Sequence, residues 1–152
     1  MFTGIVQEIG IISAKEKTNS GISIEVDVEP AFLNNLEIGA SIAVNGVCLT
    51  VVNYENDWAE FDIIKETLTK SNLDLIKVGD FVNIERSCSF GDEIGGHSVT
   101  GHVDCKGIID EVRNTPNNCD IAVKCDKEWL AYLIPKGWIA IDGASLTVVE
   151  VL

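Results

Sequence analysis

The sequence matches itself at a single long offset. Shifted by 97 positions, Thr3-Gly4-Ile5-Val6 falls over Thr100-Gly101-His102-Val103, and Gly10-Ile11-Ile12 over Gly107-Ile108-Ile109, without a gap. At the same offset Ile24 meets Ile121, Val26 meets Val123, Phe32 meets Trp129, and Leu33 and Leu36 meet Leu130 and Leu133. Residues 41–52 (SIAVNGVCLTVV) then lie over residues 138–149 (WIAIDGASLTVV). A repeat this long implies two homologous domains rather than a solenoid of short units. The first is expected over residues 1–97 and the second over 98–152.

Within each copy the pattern is mostly β. Gly21–Val28 alternates apolar and polar residues, the period of a half-buried strand. Ala40–Val44, Cys48–Tyr54, Trp58–Ile64 and Phe81–Arg86 are short runs rich in β-branched and aromatic residues, broken by Asn45-Gly46 and Asn56-Asp57. Asn-Gly between apolar runs signals a tight hairpin, and Asp142-Gly143 repeats it. Pro30–Leu36 and Lys127–Leu133 read as short helices, with Pro30 near the first turn and Gly39 beyond the end, and Thr67–Ile76 as a third. Short strands with regular turns predict an all-β chain with one small antiparallel barrel per copy.

The second copy lacks counterparts of residues 56–97, which include Trp58–Ile64 and Phe81–Arg86. Without them its strands have open edges, and the apolar faces of Ile121, Val123, Ile139 and Ile141 lose cover. The second barrel is therefore expected to be incomplete, and the sequence reads as part of a longer protein.

Composition narrows the function classes. With 46% hydrophobic and 23% charged residues, the 152-residue chain can bury a core, which excludes disorder as its main state. Eleven Lys and Arg against 24 Asp and Glu give a net charge of −13, which argues against nucleic acid or an anionic membrane as partner. There is no apolar run long enough to span a bilayer, and no basic-then-apolar leader at the N-terminus, so a soluble, cytoplasmic protein is expected. The five cysteines (Cys48, Cys88, Cys105, Cys119, Cys125) contain no C-x-x-C pair and fit reduced thiols. His97 and His102 lie between Cys88 and Cys105, but two tight ligand pairs are missing, so no metal is expected.

Seven motifs together carry a family resemblance: Met1-Phe2-Thr3-Gly4-Ile5-Val6, Asn45-Gly46-Val47-Cys48-Leu49-Thr50-Val51, Glu66-Thr67-Leu68 with Ser71-Asn72-Leu73, Val82-Asn83-Ile84-Glu85-Arg86, Gly91-Asp92-Glu93-Ile94-Gly95-Gly96-His97, Gly101-His102-Val103, and Asp142-Gly143-Ala144-Ser145-Leu146-Thr147-Val148. In this order they resemble riboflavin synthase of the α-subunit type, and the resemblance runs through the whole chain. It implies tandem six-stranded Greek-key barrels, each binding one 6,7-dimethyl-8-ribityllumazine. It also implies transfer of a four-carbon unit between two such molecules, giving riboflavin and a ribitylamino-pyrimidinedione with no cofactor. The implied assembly is a homotrimer formed through a C-terminal helix beyond residue 152. In it the reacting pair lies between the N-terminal barrel of one subunit and the C-terminal barrel of its neighbour, and association with lumazine synthase is a further implied partnership.

That chemistry stacks two identical heterocycles, removes a proton from the C7 methyl of one and adds a nucleophile to the other. Two homologous half-sites suit two identical ligands. Thr50 and Thr147 hold the same place in both copies, where a hydroxyl can bond a polar ring or ribityl group; Thr as a plain strand residue is the alternative. Cys48 and Ser145 also coincide, and the resemblance turns both toward the ligands, although an inert buried thiol explains Cys48 equally well. His102 stands where the first copy has Ile5, so the half-sites differ at a group able to exchange protons near neutral pH; a structural histidine is the alternative. His97 reads as a hinge or interface residue.

By resemblance the backbone of Gly4, Ile5 and Val6 and of Gly101, His102 and Val103 lines the heterocycle, with Leu49 and Leu146 beside the threonines. Asp62, Ile63, Ile64, Lys65, Glu66 and Thr67 form the far wall of the first pocket, or else a strand end with solvated charges. Ser41, Lys136 and Phe2 carry over as interface or ligand contacts. Lys136 as a surface lysine and Phe2 as a plug in a barrel end are the plain alternatives. A non-catalytic lumazine- or flavin-binding protein of the same fold is the competing function, and retention of His102, Ser145 and Thr147 favours the enzyme. A ligand-free structural barrel explains neither the paired threonines nor the histidine asymmetry.

Overall fold

The computed structural model covers residues 1–152 and turns the alternating runs into strands. β1 (Glu8–Lys17), β2 (Gly21–Asp27), β3 (Ser41–Val44), β4 (Val47–Tyr54), β5 (Trp58–Ile64) and β6 (Phe81–Arg86) form a closed barrel in the order β1-β2-β5-β4-β3-β6. Every pairing is antiparallel, and β6 closes the barrel against β1. Ile22, Ile24 and Val26 of β2, Leu49 and Val51 of β4, and Phe61 and Ile63 of β5 point inward, and the residues between them point out. The barrel has no edge left to pair.

β1 is not legible as an alternating run, for two physical reasons. Gly10 faces inward, where a Cβ would lie 2.6 Å from Val26 Cγ1 and 2.7 Å from Ile84 Cδ1. A bulge at Ser13 then breaks the two-residue period, because Ile12 pairs with Val26 and Ala14 with Glu25. Asn45-Gly46 does make the tight β3–β4 hairpin, with φ of 47° and 77° as a type I′ turn requires.

The expected helices are shorter than the sequence suggests. Pro30–Leu36 is a single 3-10 turn, Pro30–Leu33; the chain then leaves helical geometry at Asn34 and Asn35, whose carbonyls bond the Arg86 guanidinium instead. Thr67–Ile76 resolves into α1 (Lys65–Lys70) and a 3-10 turn, Asn72–Asp74, divided at Ser71. The Ser71 hydroxyl donates to Thr67 O and ends the helix. Lys127–Leu133 reduces to α2 (Lys127–Leu130). Leu33, Leu36, Leu73 and Ile76 from the two 3-10 regions pack into the barrel core.

The second half holds β7 (Ile108–Thr115) paired with β8 (Asn118–Lys124), and β9 (Trp138–Ile141) paired with β10 (Ala144–Thr147). β8 and β9 span the residues offset by 97 from β2 and β3, and the Asp142-Gly143 turn has φ of 46° and 83°. The β7–β8 bulge falls at Asp110, the counterpart of Ser13. In the closed barrel β5 lies between β2 and β4, and β6 between β3 and β1. With no counterparts of β5 and β6, the two hairpins share no ladder, so the second barrel is only partly present. Ile109 and Ile121, counterparts of buried Ile12 and Ile24, are exposed, as an uncovered face should be, while Val123, Ile139 and Ile141 stay half-buried. No helix is long and apolar enough to cross a membrane.

Candidate functional site

The halves meet along a seam whose contacts come in pairs related by the same offset. Phe2 and Val99 form an antiparallel bridge, with bonds of 2.8 and 3.0 Å. Gly46 and Gly143 abut so closely that a Cβ on Gly46 would lie 2.6 Å from Gly143 N, and one on Gly143 2.9 Å from Gly46 N. Cys48 N–H donates to Gly101 O at 2.8 Å, and Ser145 N–H to Gly4 O at 2.7 Å. These contacts define a local two-fold relation through the Phe2–Val99 bridge and the two glycines.

This relation exchanges the glycine segments. Gly101–Val103, from the second half, lies against Cys48 of β4, and Val103 packs on the first barrel's core. Gly4–Val6, from the first half, lies against Ser145 of β10. Gly101 (φ +79°) has no room for a side chain, since a Cβ would sit 2.6 Å from Cys48 Cβ and 2.9 Å from Phe2 Cε2. Gly4 (φ +76°) is equally confined by Ser145 Cβ at 2.7 Å.

Register gathers several of the expected site residues on the outer face of the barrel. Ser41 pairs with Thr50, and Ser23 with Asp62. Val51 pairs with Phe61, so Asp62 falls beside Thr50 one step further along. The row Ser23, Asp62, Thr50, Ser41 thus crosses four strands with its polar groups outward. Lys65, Glu66 and Thr67 follow at the start of α1, and Ile64 is exposed beside them, while Leu49 and Ile63 face the core. His102 borders this surface as an exposed residue; its main-chain N–H bonds Thr100 Oγ1, and its imidazole makes no hydrogen bond. A groove of about 350 Å³ at the far end of β1, lined by Lys15, Ile22 and Leu68 among others, contains none of these residues.

The residues expected for the second site are differently equipped. Ser145 Oγ lies 2.6 Å from His97 Nδ1, and the His97 ring packs on Trp138 with centroids 5.7 Å apart. Burial lowers the His97 pKa from its usual 6.5, which favours the neutral imidazole. In the neutral tautomer whose Nδ1 is unprotonated, this nitrogen accepts a hydrogen bond from the Ser145 hydroxyl; in the other tautomer it donates one. Thr147 pairs with Trp138, the residue offset from Ser41, so one face carries an indole where the other carries a hydroxyl. Leu146 and Thr147 are exposed because nothing covers β10.

Lys136 occupies left-handed backbone (φ +67°), and its N–H donates to Val148 O. Its counterpart is Gly39 (φ +90°), with the equivalent bond to Val51 O. A lysine kept where glycine is easier argues for a use of its side chain. Phe2 is 1% exposed but sits in the seam against Gly101, outside the barrel core, so it does not plug a barrel end.

Sequence reasoning missed three features. It did not pair His97 with Ser145, nor assign Trp138 beyond its alignment with Ser41. It also gave no role to Glu85, a buried carboxylate that binds Thr3 and Gly4. The one available signal was the replacement of Ser41 by Trp138 in the second copy.

Comparison with known proteins gives the arrangement a lineage. A family profile described as the lumazine binding domain matches residues 3–87 and again residues 100–152. Riboflavin synthase of Escherichia coli (strain K12) is 44% identical over 153 residues, covering 99% of this chain and 71% of that protein. The crystal structure of LumP complexed with riboflavin superposes with a TM-score of 0.91 at 28% identity, covering 100% of this chain and 82% of that one. LumP complexed with 6,7-dimethyl-8-(1'-D-ribityl) lumazine gives 0.87 at 27% identity, covering 100% and 81%. A lumazine-binding profile matched in both halves and 44% identity to a known synthase over 99% of this chain together place it in the riboflavin synthase family.

Proposed function

We propose that this chain carries out the riboflavin synthase reaction: dismutation of two 6,7-dimethyl-8-ribityllumazine molecules into riboflavin and 5-amino-6-ribitylamino-pyrimidinedione. The observation that carries the reading is the exchange of Gly4–Val6 and Gly101–Val103 across a two-fold seam. It builds two related ligand surfaces, as a reaction between two copies of one molecule requires. Thr50, Asp62 and Ser41 offer hydrogen bonds to one ligand, with Cys48, His102 and the Lys65–Thr67 turn at its margins. Ser145, Thr147 and Lys136 serve the other, where neutral His97 draws the Ser145 proton so that the oxygen can add to an electrophilic ring carbon. His102, exposed and unbonded, is suited to proton exchange with a bound ring.

The same reading includes two lumazine-binding units at 1–97 and 98–152, a homotrimer, association with lumazine synthase and a cytoplasmic location. Support for assembly comes from the family motifs. Mixing the protein with 6,7-dimethyl-8-ribityllumazine and following riboflavin absorbance tests the activity. Growth of the riboflavin band is expected. Tight lumazine binding with no product would support a carrier like LumP instead.

A further inference from the structure

We propose that Glu85 is a positioning residue for the second half-site: its carboxylate fixes Thr3 and Gly4, and these in turn fix Ser145 against His97. The proposal rests on the preceding reading only in treating that half-site as a ligand site.

Glu85 lies on β6 next to inward-facing Ile84, so its side chain points to the outer face, yet only 4% of the residue is exposed. Register puts it opposite Ala43, which also pairs with Cys48, so Glu85 shares the row beneath the seam. One oxygen accepts Thr3 N–H at 2.6 Å and Thr3 Oγ1–H at 2.7 Å, and the other accepts Gly4 N–H at 3.1 Å. No cation contributes. Two consecutive main-chain N–H groups converging on a carboxylate form an anion-binding nest, and the left-handed Gly4 permits it.

The carbonyls of these same two residues carry the argument. Thr3 O accepts His97 N–H at 2.9 Å, and Gly4 O accepts Ser145 N–H at 2.7 Å. The two residues held by Glu85 therefore receive the amides of the two residues whose side chains meet at 2.6 Å. A neutral amide at position 85 keeps the shape but accepts through one atom only, so its NH2 group would face either Gly4 N–H or the Thr3 donors.

The test is Glu85→Gln in the full 152-residue chain, read by amide exchange without ligand, by proton NMR of the two histidines, and by riboflavin formation. Protection of the His97 and Ser145 amides should fall about tenfold or more, as expected when charge-assisted bonds are lost, while the β2 and β5 amides keep theirs. The His97 resonance should titrate closer to the ordinary histidine value, and kcat should fall with KM little changed. Unchanged protection at both amides would overturn the proposal, as would a uniform loss across the barrel, which marks a merely structural carboxylate. Thr3→Val, which removes one donor and keeps the shape, guards against a misfolded variant; it should give a smaller loss confined to the same amides, and no change there also overturns the proposal. Because the exchange and NMR readouts need no ligand, a chain that makes no riboflavin refutes the functional reading and leaves the role of Glu85 to be decided by the amides.

Discussion

Gly101→Ala separates the crossing segment from the barrel it crosses. Alanine at φ +79° costs about 1–2 kcal/mol in the left-handed region. The new methyl would also meet Cys48 Cβ at 2.6 Å, Phe2 Cε2 at 2.9 Å and Cys48 N at 3.0 Å. Overpacking of that kind costs about 1–3 kcal/mol. Against this strain, docking of the segment rests on the bond from Cys48 N–H to Gly101 O, net about 1 kcal/mol. The half-buried Val103 contributes about 1–2 kcal/mol more. Strain and docking are the same size, so the cheaper response is release of the segment rather than distortion of β4. Hydrogen exchange should show the Cys48 amide losing about tenfold to a hundredfold of its protection, with the β2–β5 ladder unchanged. Lumazine affinity at the first half-site should fall with it. If Cys48 keeps its protection, or the barrel ladder loses as much as Cys48, the segment does not dock as an independent latch.

Other substitutions probe the remaining groups. Lys136→Gly relieves left-handed strain of about 1–2 kcal/mol and adds about 0.4–1 kcal/mol of unfolded-state entropy, so denaturant midpoints should stay level or rise slightly while turnover drops; unchanged turnover returns Lys136 to the solvent. Thr50→Val should weaken lumazine binding by about 1 kcal/mol in a fluorescence titration, and full affinity would leave Thr50 a plain strand residue. Burial raises the Asp142 pKa from its usual 3.8, against an opposing hydrogen bond from Asn72. A carboxyl that holds its proton more tightly when folded favours folding when protonated, and that contribution is lost as pH rises above 3.8. Asp142→Asn, which restores the residue type of Asn45, should therefore gain stability at neutral pH and lose that gain below the carboxyl's range; an equal effect at both pH values would refute the assignment.

The parts of the fold legible in the sequence are those set by neighbours along the chain. Asn45-Gly46 forces positive φ at two adjacent residues, so its turn is local information, and the alternation in Gly21–Val28 needs only one buried face. The offset placed Cys48 over Ser145 and Thr50 over Thr147 because equivalent strands keep equivalent registers. What stayed hidden is contact between distant segments. Nothing in the string says that Gly101 serves β4 and Gly4 serves β10, since each glycine fits either partner by pattern. Glu85 resembles any outward strand carboxylate until Thr3 and Gly4 fold over it. His97 meets Ser145 only because Thr3 O captures its amide.

Strand order also has a kinetic consequence. β1–β2, β3–β4 and β4–β5 close between chain neighbours, whereas β5 must find β2, and β6 must find β1, across most of the barrel, pairing Phe61 with Ile24 and Val82 with Gly10. Loop-closure entropy makes the second kind of pairing slow. Folding of such a barrel should begin from two local ribbons, β1–β2 and β3–β4–β5, joined where β5 meets β2 and closed where β6 pairs with β1 and β3. Mutations in the Asn45-Gly46 turn would then slow folding, whereas mutations in β6 would mainly hasten unfolding.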